Sequence, residues 1–240
     1  MEAQPRICVV VPTYNEKENV RPLVEGVESL GIPGLQMMFV DDSSPDGTAE
    51  EIRRLAAEYP NLHLVVRKEK RGLGGAHLEG FRRAMDDLDS QVMVEMDADL
   101  QHPPTKIADL VSAIGGGYGV VVASRKVEGG GTTGWALWRR GVSWGANALA
   151  RMVLGLAVKD CTSGFRALNR RSAELLMDAR LPDSSYSFQV ASLFYLKRKG
   201  VKMSEIPFVF ETRKAGRSKM GFREILRFFV SVLKLRILGL

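Results

Sequence analysis

The sequence predicts an α/β domain whose central, twisted and mostly parallel sheet is flanked by helices, and three observations carry that prediction. Apolar runs rich in Val, Ile and Met alternate with amphipathic helical patterns as far as Arg125. The runs are near-continuously apolar, as strands covered on both faces must be. Polar motifs directly follow three of the runs, and ligands of open parallel sheets bind beyond the carboxyl ends of the strands.

In chain order, ICVVVP (7–12), LQMMFVDD (35–42), LHLVV (62–66), QVMVEMD (91–97) and GVVVAS (119–124) are the expected strands. Between them lie the helical patterns ENVRPLVEGVESL (18–30), DGTAEEIRRLAAEY (46–59) and GGAHLEGFRRAMDDL (74–88). The rhythm then changes to a Gly-rich loop (129–134), a helical run (135–154), the polar turn DCTSGFR (160–166), a helix near 186–199 and the strand-like SEIPFVFETR (204–213). No Pro/Ser-rich linker separates the halves, so residues 1–221 read as one domain. Residues 222–240 read as a basic amphipathic helix, with Arg223, Arg227, Ser231 and Lys234 on one stripe and Phe222, Ile225, Leu226, Phe229, Val230, Leu233 and Ile237 opposite. Its charges argue against a membrane span. Two readings stand: a helix in the membrane interface, or one docked on the core or on a partner subunit.

The 240 residues suffice for a single domain with a substantial core. A net charge of +6 favours anionic partners, whether nucleic acid, phosphorylated substrate or acidic membrane. Cys8 and Cys161 are too few and too far apart for a ligand cluster and read as buried thiols in a reducing compartment, the cytosol. The apolar run near the N-terminus is too short, and lacks the cleavage pattern, for a signal peptide.

The acids of MDADLQHPP (96–104) are the first chemical signal. Strand periodicity would point Asp97 and Asp99 the same way, and two hard oxygen ligands beside a loop suit Mg²⁺ or Mn²⁺, with Gln101 as a third oxygen. The competing reading is a cap for a helix starting near Pro103. In PTYNE (12–16), Tyr14 can stack on a base and Glu16 can accept from ring N–H or ribose hydroxyls; alternatively the segment is a strand-to-helix turn with Asn15 as N-cap. In DDSSPDGT (41–48), Asp46 reads as a helix cap, which leaves Asp41 and Asp42 needing partners. RGLGGAH (71–77) does not match the dinucleotide fingerprint and reads as a flexible loop opening a helix. Arg125, Arg139, Arg140, Arg166, Arg213, Arg217 and Lys219 flank glycines and polar turns, a setting suited to phosphate, although each alone could be a solvated charge. ETRKAGRSKMG (211–221) reads as a phosphate-closing flap.

Taken together, VVVPTYNEKENV, VDDSSPDGT, GLGGAHLEGF, MDADLQHPP, SRKVEGGG, DCTSGFRALNR and RKAGRSKMG resemble, in order and spacing, the polyprenol-phosphate mannosyltransferases (dolichol-phosphate mannose synthases) of the GT-A class. The resemblance runs from Ile7 to Gly221. It implies the GT-A (nucleotide-diphospho-sugar transferase) fold and inverting transfer of mannose from GDP-mannose to a polyprenyl (dolichyl) monophosphate. It implies that Pro12, Tyr14, Glu16, Val40 and Asp42 hold the guanosine, with Ala98 backing the nucleotide. Asp97, Asp99 and Gln101 would hold Mg²⁺ or Mn²⁺ on the diphosphate, and Arg125, Arg139, Arg213 and Lys219 would contact the donor and acceptor phosphates. Asp99 and Arg125 would be the catalytic pair. Lys126 stands where the family often has an aromatic, which puts the shape of the sugar pocket in doubt.

The residue chemistry agrees with that picture. A leaving nucleoside diphosphate needs a cation and Arg/Lys clamps. An attacking phosphate, with a second pKa of about 6, needs no strong base. The helical run with Trp135, Trp138 and Trp144 could share a membrane interface with the basic tail, or the tryptophans could be core. The expected location is peripheral, on the cytoplasmic face of a membrane, with a membrane-anchoring subunit as a further partner the resemblance allows and no nucleic acid. Two alternatives remain: transfer of glucose or another sugar to the same carrier, and a non-catalytic nucleotide-sugar or membrane-binding module.

Overall fold

The computed structural model describes residues 5–68, 72–182, 185–211 and 222–238. Seven strands form the main sheet: β1 (Ile7–Thr13), β2 (Gln36–Asp41), β3 (Leu62–Val66), β4 (Val92–Glu95), β5 (Val120–Ser124), β7 (Arg166–Asn169) and β8 (Met203–Pro207). Their order is β3-β2-β1-β4-β7-β5-β8, and only β7 runs antiparallel to its neighbours. The short β6 (Gly131–Thr132) and β9 (Val209–Phe210) make a separate parallel pair. Pro207 ends β8, so the strand-like 204–213 divides between the two sheets; a proline offers no N–H to continue the ladder.

Period-2 alternation divides the core into two layers. Cys8 and Val10 of β1, with Met38 and Val40 of β2, face one cluster; Val9, Val11, Met37 and Phe39 face the other. The first layer is closed by α3 (Gly72–Asp86), α5 (Leu137–Leu154), α6 (Arg170–Met177), α7 (Ser185–Arg198) and α8 (Phe222–Leu238); the second by α1 (Lys17–Glu28), α2 (Thr48–Ala56) and α4 (Lys106–Gly115). Both cysteines are buried, and burial pushes each thiol up to about 12.

Several expectations need correcting. The glycines of 72–77 lie inside α3, not in a loop: a Cβ on Gly74 would collide with Phe188 of α7, and one on Gly80 with Val10 of β1. β7 and α6 were not anticipated. The tail helix carries a second apolar stripe, Phe228, Val232 and Leu235, that is buried against the body, and Ser231 sits on this docked side, donating to or accepting from Ser187 at 3.0 Å. Phe229, Val230, Leu233 and Ile237 of the expected apolar stripe face outward. Stripe positions 222–227 lie outside the described side chains. No helix among the described residues is long and apolar enough to cross a membrane.

Candidate active site

β1 and β4 are parallel neighbours at which the strand order reverses: the chain runs from β1 outward to β2 and β3 on one side and continues from β4 on the other, so the loops at their carboxyl ends part and leave a crevice at the sheet edge. The loops after β1 and β2 are bound together there. Asp41 accepts from Thr13 Oγ1 (2.9 Å), Ser44 Oγ (2.6 Å) and the Ser44 backbone N–H (2.9 Å), which partners the acid that strand burial would otherwise strand. The α1 amino terminus is capped from the loop after β2 rather than locally: Glu16 N donates to Thr48 Oγ1 (3.0 Å) and Lys17 N to Asp46 (3.3 Å). Asn15 is therefore not the cap; it takes a left-handed φ of 60°, a conformation Asn tolerates, and gives its N–H to Ser44 (3.0 Å). Asp46 does orient the α2 start, accepting from Thr48 N (3.0 Å), although the capping position belongs to Gly47 at φ 87°.

Asp42 is buried against Arg67, whose Nε donates at 2.6 Å while its Nη2 reaches the carbonyl of Gly72 (2.9 Å). The residue expected at the guanosine thus also ties β2 to the start of α3. Pro12, near the end of β1, and Tyr14 and Glu16, in the loop after it, are half-buried, and Glu16 accepts from Asn19 Nδ2 (2.7 Å). The Val40 side chain is fully buried towards α3, so it offers a nucleotide no side-chain contact.

β4 ends at Glu95, but alternating exposure continues: Met96 and Ala98 are buried while Asp97 and Asp99 are half-exposed on the other side. Ala98 therefore packs beneath the turn. Neither acid caps α4, whose capping residue is Thr105. Asp99 Oδ1 accepts from Gln101 N (3.1 Å), closing a turn that places Leu100 at φ 62°, and Gln101 Nε2 donates to the carbonyl of Glu211 (2.7 Å). His102 is part of this turn. Its Nδ1 accepts from Asp97 N–H (3.0 Å), so the ring proton lies on Nε2, 3.8 Å from Asp97 Oδ2. Burial holds its pKa below the ordinary value, and it stacks on Phe165 at 4.8 Å.

Phe210 joins this turn to the cations, lying 6.0 Å from the His102 ring and 5.5 Å from the Arg125 guanidinium. Arg125 is held in a buried bidentate pair: Nε and Nη2 each donate to Asp160 at 2.7 Å, and Nη2 also reaches Thr162 Oγ1 (3.0 Å). Burial opposes charge on both groups, and their mutual attraction wins, lifting Arg125 and lowering Asp160. Arg139, in the first turn of α5, lies 3.9 Å over the Trp135 ring. Burial, with Arg125 alongside, lowers the neighbouring Lys126 to about 8, and its Nζ stands 5.0 Å over Trp144.

Arg166 is a correction. It is 1% exposed, lies 3.5 Å from Glu95 directly across the β4–β7 ladder, and donates to Ser163 O (2.6 Å), Gln189 O (3.2 Å) and Ser192 Oγ (2.9 Å). It clamps the reversed strand rather than reaching a phosphate. Burial pushes Glu95 up to about 7 against the pull of Arg166. The clamp brings Gly164 beside the acids, where a Cβ would stand 3.8 Å from Asp97 Oδ2. Arg213, Arg217 and Lys219 lie outside the described residues.

Among the described residues no group of three or more His, Cys, Asp or Glu could hold a metal. The donor set nonetheless fits a hard divalent cation, which commonly takes one or two protein carboxylates and completes its shell with water and substrate phosphates.

A parallel sheet with carboxylates at its switch point and cations beside them defines a nucleotide-sugar transferase architecture. The Glycosyl transferase family 2 profile matches residues 8–176, and the chain belongs to this family. It is 37% identical over 216 residues to the undecaprenyl-phosphate mannosyltransferase of Micrococcus luteus, covering 90% of this chain and 88% of that protein. It is also 37% identical over 222 residues to the polyprenol monophosphomannose synthase of Mycolicibacterium smegmatis, covering 90% and 81%. A solved mannosyltransferase from Pyrobaculum calidifontis, in complex with GDP-Man and Mn²⁺, superposes with a TM-score of 0.69 at 20% identity over 99% of this chain and 66% of that one. The fold is GT-A.

Proposed function

We infer that the protein transfers mannose from GDP-mannose, with inversion, to the phosphate of a polyprenyl (dolichyl) monophosphate. The observation that carries this reading is the half-exposed Asp97–Asp99 pair at the switch point, bridged through His102 and Phe210 to the Arg125 cluster. Tyr14, Glu16 and Asp42, with Pro12 at the end of β1, line the guanosine side. Asp97, Asp99 and the Oε1 end of Gln101 would hold Mg²⁺ or Mn²⁺. A divalent cation there would neutralise charge developing on the departing nucleoside diphosphate. The His102 hydrogen bond fixes the Asp97 backbone, so both carboxylates are set before substrate arrives.

Arg139 and Lys126, with Arg213 and Lys219 from the flap, supply positive charge for the two phosphates. Arg125 shares this cluster but is held by Asp160, which suits it to fixing the wall made by Trp135 and Phe210. The acceptor phosphate, largely a dianion near neutral pH, attacks the anomeric carbon from the face opposite the diphosphate without a protein base. Leu137, Trp138 and Trp144 on α5, with the outward stripe of α8, form an apolar surface beside the site that suits peripheral binding at a membrane, on its cytoplasmic face.

The test is Asp99→Ala with GDP-mannose, polyprenyl phosphate and Mn²⁺. Transfer is expected to fall by about a hundredfold or more, the several kcal/mol a positioned cation supplies, while vesicle binding persists. A normal rate would remove Asp99 from the reaction. Lipid-linked product from UDP-glucose alone, with none from GDP-mannose, would overturn the sugar assignment.

A further inference from the structure

Arg125 and Lys126 leave the end of β5 side by side, yet their side chains meet different surroundings. Arg125 is occupied by Asp160, whereas Lys126 is half-buried with its ammonium 5.0 Å from the centre of the Trp144 ring. The Lys126 backbone N–H donates to Ser124 Oγ (3.2 Å), which fixes the turn that carries both cations. Trp144 lies two helical turns beyond Leu137 on α5 and so shares its face, and both side chains are exposed. The Lys126 ammonium therefore sits at a seam, with the cations of the transfer edge on one side and the exposed apolar face of α5 on the other.

A polyprenyl phosphate carries the same seam in its own structure, because its phosphate is joined directly to hydrocarbon. The phosphate must reach the anomeric carbon while the chain leaves towards the membrane. The donor differs: its diphosphate has a sugar at one end and a nucleoside at the other, both polar. A lysine suits the seam, since its stem can lie along apolar surface while its ammonium offers three donors. The cation–π contact with an exposed indole is weak, so it places the ammonium without competing with a phosphate. The electrostatic surroundings agree. The charged groups facing Lys126 are Arg125 on its own turn, Asp160 on the turn after α5 and Arg140 on α5; burial and the two arginines outweigh Asp160 and hold the ammonium at about 8. A bound phosphate reverses that balance and favours the charged form.

We propose that Lys126 and Trp144 form the acceptor end of the site, the Lys126 ammonium binding the phosphate of the polyprenyl phosphate and the exposed part of the Trp144 indole carrying the isoprene unit next to it. Lys126 thereby belongs to the acceptor and not to the donor diphosphate. The assignment rests on the transfer reading above and divides its two phosphate sites between different residues.

The test is steady-state transfer from GDP-mannose, with Mn²⁺, to a short-chain polyprenyl phosphate in detergent, where membrane partitioning plays no part. Lys126→Met keeps the stem and removes the charge. It is expected to raise the acceptor KM about tenfold or more, as the loss of a hydrogen bond to a charged group predicts, and to leave the GDP-mannose KM within about twofold. Trp144→Ala is expected to move the acceptor KM in the same direction. The acceptor phosphate stays a dianion well above its second pKa of about 6. The wild-type acceptor KM is therefore expected to rise as pH passes about 8 and Lys126 loses its proton. Lys126→Arg, which stays charged, is expected to keep a low acceptor KM without that rise, a rescue that a merely structural lysine would not show. An unchanged acceptor KM in Lys126→Met, or an equal rise in the GDP-mannose KM, overturns the assignment while wild-type transfer leaves the reaction standing. No mannosyl lipid from the wild type sinks the transfer reading and the assignment with it.

Discussion

The Asp160 carboxylate is fully buried and accepts three hydrogen bonds from Arg125, two from its side chain and one from its backbone N–H at 2.9 Å. Removing one partner of such a pair costs more than the pair contributes, because the other charge stays buried. Asp160→Asn is therefore expected to destabilise the fold by about 3–5 kcal/mol, read as a lower urea midpoint. The pH sign follows from the depressed carboxyl. Its stabilisation is complete above the unfolded value near 3.9 and is lost as pH falls through the lower folded value. Asp160→Asn should remove that part of the acid-side slope, and an unchanged slope would show that the pair does not report on folding. From sequence, Arg125 looked like a phosphate ligand because its partner lies on a distant turn, DCTSGFR. His102 was more accessible: it stands within the acid motif itself, and its buried position, turning an imidazole into a backbone acceptor, is what sequence could not supply.

At the scale of elements, strands and helices up to β5 were legible because each carries one unbroken period, apolar runs for strands and a 3.6-residue repeat for helices. The failures share a cause. β7 is four residues long and begins with an arginine, which no strand pattern admits to a core until Glu95 is found opposite it. α3 was expected over 74–88, opened by a flexible loop at 71–77, and it begins already at Gly72; its glycines are kept by packing. Gly80→Ala tests this directly. Helix propensity favours alanine by about 1 kcal/mol. The new methyl would overlap Val10 and press on Val40 Cγ2 at 3.2 Å, where overpacking costs about 1–3 kcal/mol. The expected net result is a lower melting temperature; a higher one would mean that α3 can move off β1 freely. The candidate site was legible wherever its chemistry lies in contiguous motifs, and illegible where, as with Arg166, the same residue type serves the sheet.

For the molecule as a whole, the decisive question is what covers the apolar surface shared by α5 and α8. Leu137, Trp138 and Trp144 are 80%, 64% and 58% exposed, and Leu233 of α8 is 50% exposed. Removing residues 222–240 would be a poor test of membrane binding, because Phe228, Val232 and Leu235 are buried against α5 and α7 and their loss would open the core. Substitutions on the outward faces keep the docking and remove only the surface. Burying a large apolar side chain contributes about 1.5–3 kcal/mol in full, and these two are already partly covered, so Trp138→Ser/Leu233→Ser should lose about 2 kcal/mol of partitioning, about thirtyfold, in vesicle co-sedimentation. Stability should change by less than about 0.5 kcal/mol for each exposed position. Transfer to a short-chain acceptor in detergent should persist, whereas transfer to vesicle-borne polyprenyl phosphate should fall with the binding. Unchanged vesicle binding, with the fold intact, would mean that another protein surface covers this face.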